Sequence, residues 1–406
     1  MRDIPPDSPR ISRQAWKALW GSALGYAMDG FDLLILGFML RVISADLGFN
    51  QAEAASLVTA TLIGAVIGGV GFGILSDRLG RVRVLAWTIV LFAVFTGLCA
   101  VAQGYWDLLV YRTIAGIGLG GEFGIGMALV AEAWPAARRA RASSYVGLGW
   151  QAGVLAAALL TPLLLPTIGW RGMFAIGLFP AVAAYFIRSH MHEPELFVER
   201  SARASAKTSL RLLVADAATL RCSLGMVILC AVQNFGYYGV MIWLPNYLST
   251  RFGFGLTQSA LWTVVTILGM AVGIYAFGEV ADRIGRKPAF LGWMLGAAIM
   301  VVTYSRLTDP TSLLFAGAVM GFFVNGMLGG YGALMSELYP TAARATAQNV
   351  LFNIGRAVGG FGPVAVAAVA ASIGFDNAIA LLALLYLLDM LALWLLIPEC
   401  RGVELA

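Results

Sequence analysis

The sequence predicts an all-α membrane protein of twelve transmembrane helices, built from two copies of a six-helix unit. Three observations carry this. Of 406 residues, 60% are hydrophobic and only 12% are charged, about half the charged share of ordinary soluble domains. Apolar stretches of about 20 residues, enough to cross a hydrocarbon core, recur along the whole chain. The sequence also repeats itself at an offset of 205 residues. The ten-residue alternation of an outer-membrane barrel is not seen.

The spans run roughly 18–42, 54–76, 83–103, 107–131, 142–166, 169–188, 221–247, 258–281, 288–306, 311–336, 345–370 and 374–397. The first seventeen residues hold no apolar core followed by a cleavage site, so no signal peptide is expected. The long polar connection, about 189–220, carries HMHEPELFVERSARASAK. It separates an amino-terminal unit, 1–188, from a carboxy-terminal unit, 221–406. Lys and Arg set the orientation. With both termini cytoplasmic, most of the 27 basic residues fall on cytoplasmic segments. These include Arg2 and Arg10 at the start and Arg188, Arg200, Arg203 and Lys207 around the linker. Arg41, Arg171, Arg251 and Arg306 fall on the other side. The formal charge of +5 is therefore a topology signal, and such scattered residues give no nucleic-acid surface. A multi-pass protein of a bacterial-type inner membrane, surrounded by lipid, is expected.

Cys99, Cys222, Cys230 and Cys400 lie in or beside spans, with neither disulfide nor metal spacing. His190 and His192 are both in the linker. No nucleotide-binding loop or Ser-His-Asp set is present, so no enzyme activity, metal or cofactor is expected.

The repeat is clearest in one loop. GILSDRLGR, Gly73 to Arg81, matches GEVADRIGR, Gly278 to Arg286. At the same offset Glu132, Pro135 and Arg139 meet Glu337, Pro340 and Arg344, and Gly48 meets Gly253. Asp77 and Asp282 sit at helix ends, where a carboxylate can meet the N-terminus of a neighbouring helix. Arg78, Arg81, Arg283 and Arg286 can pair with Glu132 and Glu337, with Arg139 and Arg344 nearby. A rule that only places positive charge inside would not call for the two aspartates.

Twelve spans in two halves, a long central linker and this twice-used loop closely resemble the major facilitator superfamily, over nearly the whole chain. The resemblance implies two pseudo-symmetric six-helix bundles around a central substrate site that opens alternately to each side. It also implies a monomer, with the loop cluster holding the cytoplasmic side closed.

Where the repeat breaks, each half reports its own task. Asp29 faces Asn234, Asp32 faces Tyr237, Glu122 faces Met327, Arg112 faces Gly317 and Gln151 faces Arg356. An ionisable residue inside a span is costly and functional by default. At about 1.5 Å per residue, Asp32 lies roughly 15 Å below the outer end of its span and Asp29 about one turn deeper. Arg112 can point down to Asp32. Three acids and one arginine in the amino half cannot all be comfortably charged, so at least one acid is expected to hold a proton during a transport cycle. Asp32 is expected to answer Arg112. Asp29, with no evident partner, is then the better candidate for the mobile proton, unless the two titrate as a pair.

The segment from Arg112 to Glu132 resembles the fourth span of sugar porters and their relatives. DGFD at 29–32, GEFG at 121–124, AEAWP at 131–135 and GWRGMF at 169–174 look like the aromatic-acid and the sialate- and lactate-type metabolite/proton symporters. That resemblance implies proton-coupled uptake of a small organic anion, a monocarboxylate or aromatic acid. Arg356, in NIGRAVGGFGP, would grip the carboxylate through two hydrogen bonds. The alternative for Arg356 is a structural pair with Asp389 or another acid. Trp150, Gln151, Asn234, Tyr237, Tyr238, Asn325, Tyr331 and Asn353 are further candidate cavity residues. The rival functions are a neutral-sugar porter, drug efflux and a non-transporting receptor. The amide-poor spans 5 and 7 disfavour the first. Gly-Pro lies in span 11 and not span 5, which disfavours the second. Retention of both loops disfavours the third.

Overall fold

A computed structural model describes residues 11–179, 182, 190–193, 197, 198, 209–241, 244, 248, 252, 253 and 256–405. Arg2, Arg10, Arg188, Arg200, Arg203, Lys207, Arg251, part of the linker and most of the second half of the sixth span lie outside them. The described chain runs through α1 (Arg13–Leu47), α2 (Gln51–Leu79), α3 (Arg81–Leu98), α4 (Tyr105–Ala133), α5 (Arg139–Ile176), α6 (Ala217–Met241) and α7 (Leu256–Ile284). It continues through α8 (Arg286–Arg306), α9 (Pro310–Gly326), α10 (Leu328–Leu338), α11 (Arg344–Gly359), α12 (Gly362–Ile373) and α13 (Phe375–Leu396).

Ten helical runs are long and apolar enough to cross a membrane among the described residues. The first span lies in α1, whose apolar run is interrupted by Asp29 and Asp32. The sixth begins inside α5, after a turn at Gly169, where φ is 64°. Two expected spans are broken helices. The tenth divides at Met327 into α9 and α10, and the eleventh divides at Gly360–Phe361 into α11 and α12.

The ends of the elements follow local chemistry. Asn50 and Glu53 form a reciprocal capping box at the start of α2. The Asp309 side chain accepts from Ser312 N–H ahead of Pro310 at the start of α9. The repeat is written into the backbone too. Gly80 and Gly285, joining α2 to α3 and α7 to α8, have φ of 111° and 113°. Only glycine takes such angles without strain.

Glycines also set helix spacing. A Cβ on Gly68 of α2 would strike the Ile117 carbonyl of α4, and one on Gly120 of α4 would strike the Ala65 carbonyl of α2. In the second half Gly269 and Gly273 of α7 stand in the same relation to Ala318 and Phe322 of α9. Membrane helices pack by such close backbone approach, because lipid supplies no hydrophobic drive between them. We expect Gly68→Ala to cost about 1–3 kcal/mol through overpacking. Gly71→Ala, with nothing within 4 Å, should leave the melting temperature of the purified protein unchanged.

The halves meet through α2 and α4 against α11, and through α5 against α7 and α10. On this seam Asn349 Oδ1 accepts from Gly124 N–H at 2.7 Å. Asn353 Nδ2 donates to the Gly120 carbonyl at 2.8 Å. Phe123 stacks on Phe352 with ring centroids 3.8 Å apart.

Candidate functional site

Two charged clusters, one from each copy of the loop, close one end of the molecule. Arg81 donates to both oxygens of Glu132 at 3.2 and 3.0 Å. Arg344, from the other half, reaches Glu132 Oε1 at 2.8 Å. Asp77 accepts from the backbone N–H of Ala345 and Thr346 at 3.2 and 3.0 Å, at the N-terminus of α11. The mirror set is as complete. Arg286 donates to Glu337 at 2.8 and 3.0 Å, and Arg139 crosses the halves to Glu337 at 3.0 Å. Asp282 accepts from Ala140 and Arg141 N–H at 3.1 Å each, at the start of α5. Each glutamate thus holds one arginine of its own half and one of the other. Each aspartate caps a helix of the other half, where the dipole favours negative charge.

Two members of the sequence list stand apart. Arg78 is exposed, and Arg283, 71% exposed, reaches only Glu279 on its own helix. Both fit the positive-charge rule rather than the seal. Two acids that complete the seal escaped the sequence reading. Glu193 accepts from the N–H groups of Arg81, Val82 and Arg83 at 2.6, 3.2 and 3.1 Å. Glu399 accepts from those of Arg286 and Lys287 at 2.9 Å each. They are 206 residues apart, so a search at 205 steps over them. Their shared signal is an adjacent proline, Pro194 and Pro398.

At the opposite end of α1, Asp46 accepts from Arg171 at 2.7 Å and from Trp170 Nε1 at 3.0 Å. The Arg171 hydrogen bond holds this carboxyl below the usual range. A lowered carboxyl contributes stability above its unfolded value, about 3.9, and loses it as pH falls through the folded value. Arg171→Gln should therefore flatten the acid limb of the melting-temperature profile.

Within the membrane the four amino-half groups separate into three environments. Asp32 and Arg112 form a bidentate pair at 3.0 and 2.8 Å, and Thr96 adds a third donor at 3.0 Å. This is the expected pairing, and it leaves Asp32 fully engaged. Asp29 overturns the expectation that it has no partner. Arg356, from the other half, donates to both its oxygens at 3.3 Å. The alternative expected for Arg356, a pair with an acid, is met by Asp29 and not by Asp389. Glu122 is wholly buried beside Gly25, and neither of its oxygens has a partner among the described residues. Asp389 is buried in the same unpartnered way, on α13.

Breaking the tight pair should be costly. Arg112→Ala strands Asp32 in the bundle interior and is expected to destabilise by about 3–5 kcal/mol. Asp32→Asn in the same background should recover much of this, read as the yield of monodisperse protein.

A small central cavity of about 10 Å³ lies between the halves, room for about one water. Its walls include Tyr26, Trp150, Asn234, Tyr237, Tyr238 and Arg356. The Arg356 guanidinium stands over the Trp150 ring, 5.0 Å from its centroid. The break between α11 and α12 begins one turn beyond Arg356, whose carbonyl accepts from Gly360 N–H. Six of the expected cavity residues, Trp150, Asn234, Tyr237, Tyr238, Asn325 and Arg356, are brought together here. Three are placed elsewhere. Gln151 is buried, with its amide 3.8 Å from the Met270 sulfur. Asn353 lies on the seam between halves. Tyr331 donates to the Leu229 carbonyl at 3.0 Å, joining α10 to α6. Tyr26 and Gln233 line the cavity without having been singled out as site residues.

Residues 22–275 and 248–402 match the family described as Major Facilitator Superfamily. A putative metabolite transport protein of Haemophilus influenzae is 67% identical over 403 residues, 98% of this chain and 99% of its own. The cis,cis-muconate transport protein of Acinetobacter baylyi is 29% identical over 354 residues, 86% of either chain. The solved structure of the proton:xylose symporter XylE bound to 6-bromo-6-deoxy-D-glucose superposes with a TM-score of 0.80, covering 97% of this chain and 98% of that one. At 19% identity that likeness is one of fold.

Proposed function

The chain belongs to the major facilitator superfamily as a metabolite transporter, and from that premise we propose that it is a proton-coupled symporter of a small organic acid anion. The observation that carries this reading is the Asp29–Arg356 pair. It joins the two halves at the wall of the central cavity, through bonds of 3.3 Å, longer than those of Asp32–Arg112. A planar guanidinium suits a carboxylate, and a substrate carboxylate can take the place that Asp29 now fills. The name of the muconate relative points to the same class of cargo.

Coupling follows from charge. Glu122 has no cation or donor among the described residues, and a bare carboxylate there would be prohibitive in the membrane interior. It is a neutral acid in this state. When substrate occupies Arg356, Asp29 loses its partner and becomes the uncompensated group. A proton delivered to Asp29 by way of Glu122, which lies beside Gly25 one turn along α1, restores neutrality. Anion and proton then cross together as the halves rock. In this reading the double seal lies on the cytoplasmic side, both termini are cytoplasmic, the units are 1–188 and 221–406 about the linker, and the carrier works as a monomer in an inner membrane.

The test is uptake in proteoliposomes of labelled lactate, benzoate, cis,cis-muconate, sialic acid and xylose, with and without an inward proton gradient. Accumulation of an acid that collapses with a protonophore supports the reading. Accumulation of xylose and of no acid replaces it with a neutral-substrate porter.

A further inference from the structure

Two amides in the same cavity are not used by the coupling groups. Gln233 of α6 and Asn325 of α9 are each only 2% exposed, and both line the central cavity. Gln233 Nε2 donates to Asn325 Oδ1 at 2.6 Å. That leaves Gln233 Oε1 and Asn325 Nδ2 without partners among the described residues. The count does not depend on how the amides are turned. Reversing both gives the opposite bond and again frees one acceptor and one donor. A buried polar atom left unmet costs about 1–3 kcal/mol, so such a pair calls for a function.

The fold does not require it. At the offset of 205, the amino half carries Met28 and Gly120 at these places, and its helices pack without an amide pair. Asn325 is also the penultimate residue of α9, just before the break at Met327.

We propose that the Gln233–Asn325 pair reads a hydroxyl on the transported acid, a group that donates and accepts at once. This rests on the transport reading above and narrows its substrate class to hydroxylated monocarboxylates. Arg356 takes the carboxylate, and the amides take the hydroxyl. A second carboxylate fits poorly, because it offers acceptors only. The Gln233 oxygen would face it unless the 2.6 Å bond between the amides broke.

The test uses matched competitors against whichever labelled acid the proteoliposomes accumulate. The pairs are lactate with propionate and 4-hydroxybenzoate with benzoate. In the wild-type protein the hydroxylated member of at least one pair should inhibit at least about tenfold more strongly, since a site built for a hydroxyl rejects its absence. Gln233→Met, which installs the amino-half residue, and Asn325→Leu should each bring that ratio towards one without abolishing inhibition. Equal inhibition, or none, by both members of both pairs overturns the assignment and leaves acid transport standing. A preserved ratio in both variants, shown folded by gel filtration, also overturns it. Accumulation of no acid removes the transport reading and this inference together. The wild-type comparison needs no variant to fold.

Discussion

Arg356→Ala is expected to abolish saturable uptake of the acid, with affinity reduced by at least about thirtyfold. Removing one partner of a buried, hydrogen-bonded charge pair costs about 2–5 kcal/mol, and every factor of ten is about 1.4 kcal/mol. The variant has two consequences that must be separated. It removes the proposed anion contact, and it also strands Asp29, whose ion-pair partner among the described residues is Arg356. Arg356→Ala combined with Asp29→Asn removes the second effect. The double variant should recover the yield and melting temperature lost in the single one, and should still fail to bind acid. Arg356→Lys keeps the charge but not the fork, so weak transport with a raised KM is expected. Equilibrium binding of the acid to purified protein decides the matter. Unchanged affinity in a folded double variant would remove Arg356 from the site.

Much of the architecture was legible before any coordinates. The repeat at 205 residues predicted a backbone repeat, and Gly80 and Gly285 deliver it to within a few degrees of φ. The paired charge clusters were legible because their chemistry is local in sequence. Asp77 and Arg81 are four residues apart, and their copies recur intact. Glu193 and Glu399 were hidden by a single-residue shift in the repeat. The helix breaks at Met327 and Gly360 were not legible, since glycine runs mark close packing as often as breakage.

The central site was legible in part, for a physical reason. Asp32–Arg112 joins two spans of one half, at depths that helix rise alone could match. Asp29–Arg356 joins the two halves, and its geometry depends on how the bundles meet, which no periodicity encodes. The same limit explains Tyr331 and Asn353. Each has the polarity of a cavity residue, but the rotation of its helix turns it to a backbone carbonyl. Correcting the partner of Asp29 also brings Glu122 onto the proposed proton path. The sequence favoured Asp29 as the group without a cation, and among the described residues that description belongs to Glu122 and Asp389.

Glu122→Gln should therefore separate transport from coupling. Glutamine has the same shape and is uncharged at every pH, so it copies the neutral acid that Glu122 is proposed to be in this state. The fold should be retained and the melting temperature little changed, because no partner is lost. Exchange of labelled for unlabelled acid across the membrane, which needs only the loaded carrier to reorient, should survive. Accumulation should not. One proton carried with each anion supports about tenfold accumulation per unit of pH gradient, and the variant is expected to fall to a ratio of one. Asp29→Asn should behave differently. It removes the anion that holds Arg356 in the empty carrier, so Arg356 is left uncompensated and the acid should bind more tightly while being released slowly. A Glu122→Gln protein that still accumulates acid in proportion to the proton gradient would place the proton on another group. Asp389, the other wholly buried carboxyl without a partner among the described residues, would then be the next to exchange for asparagine.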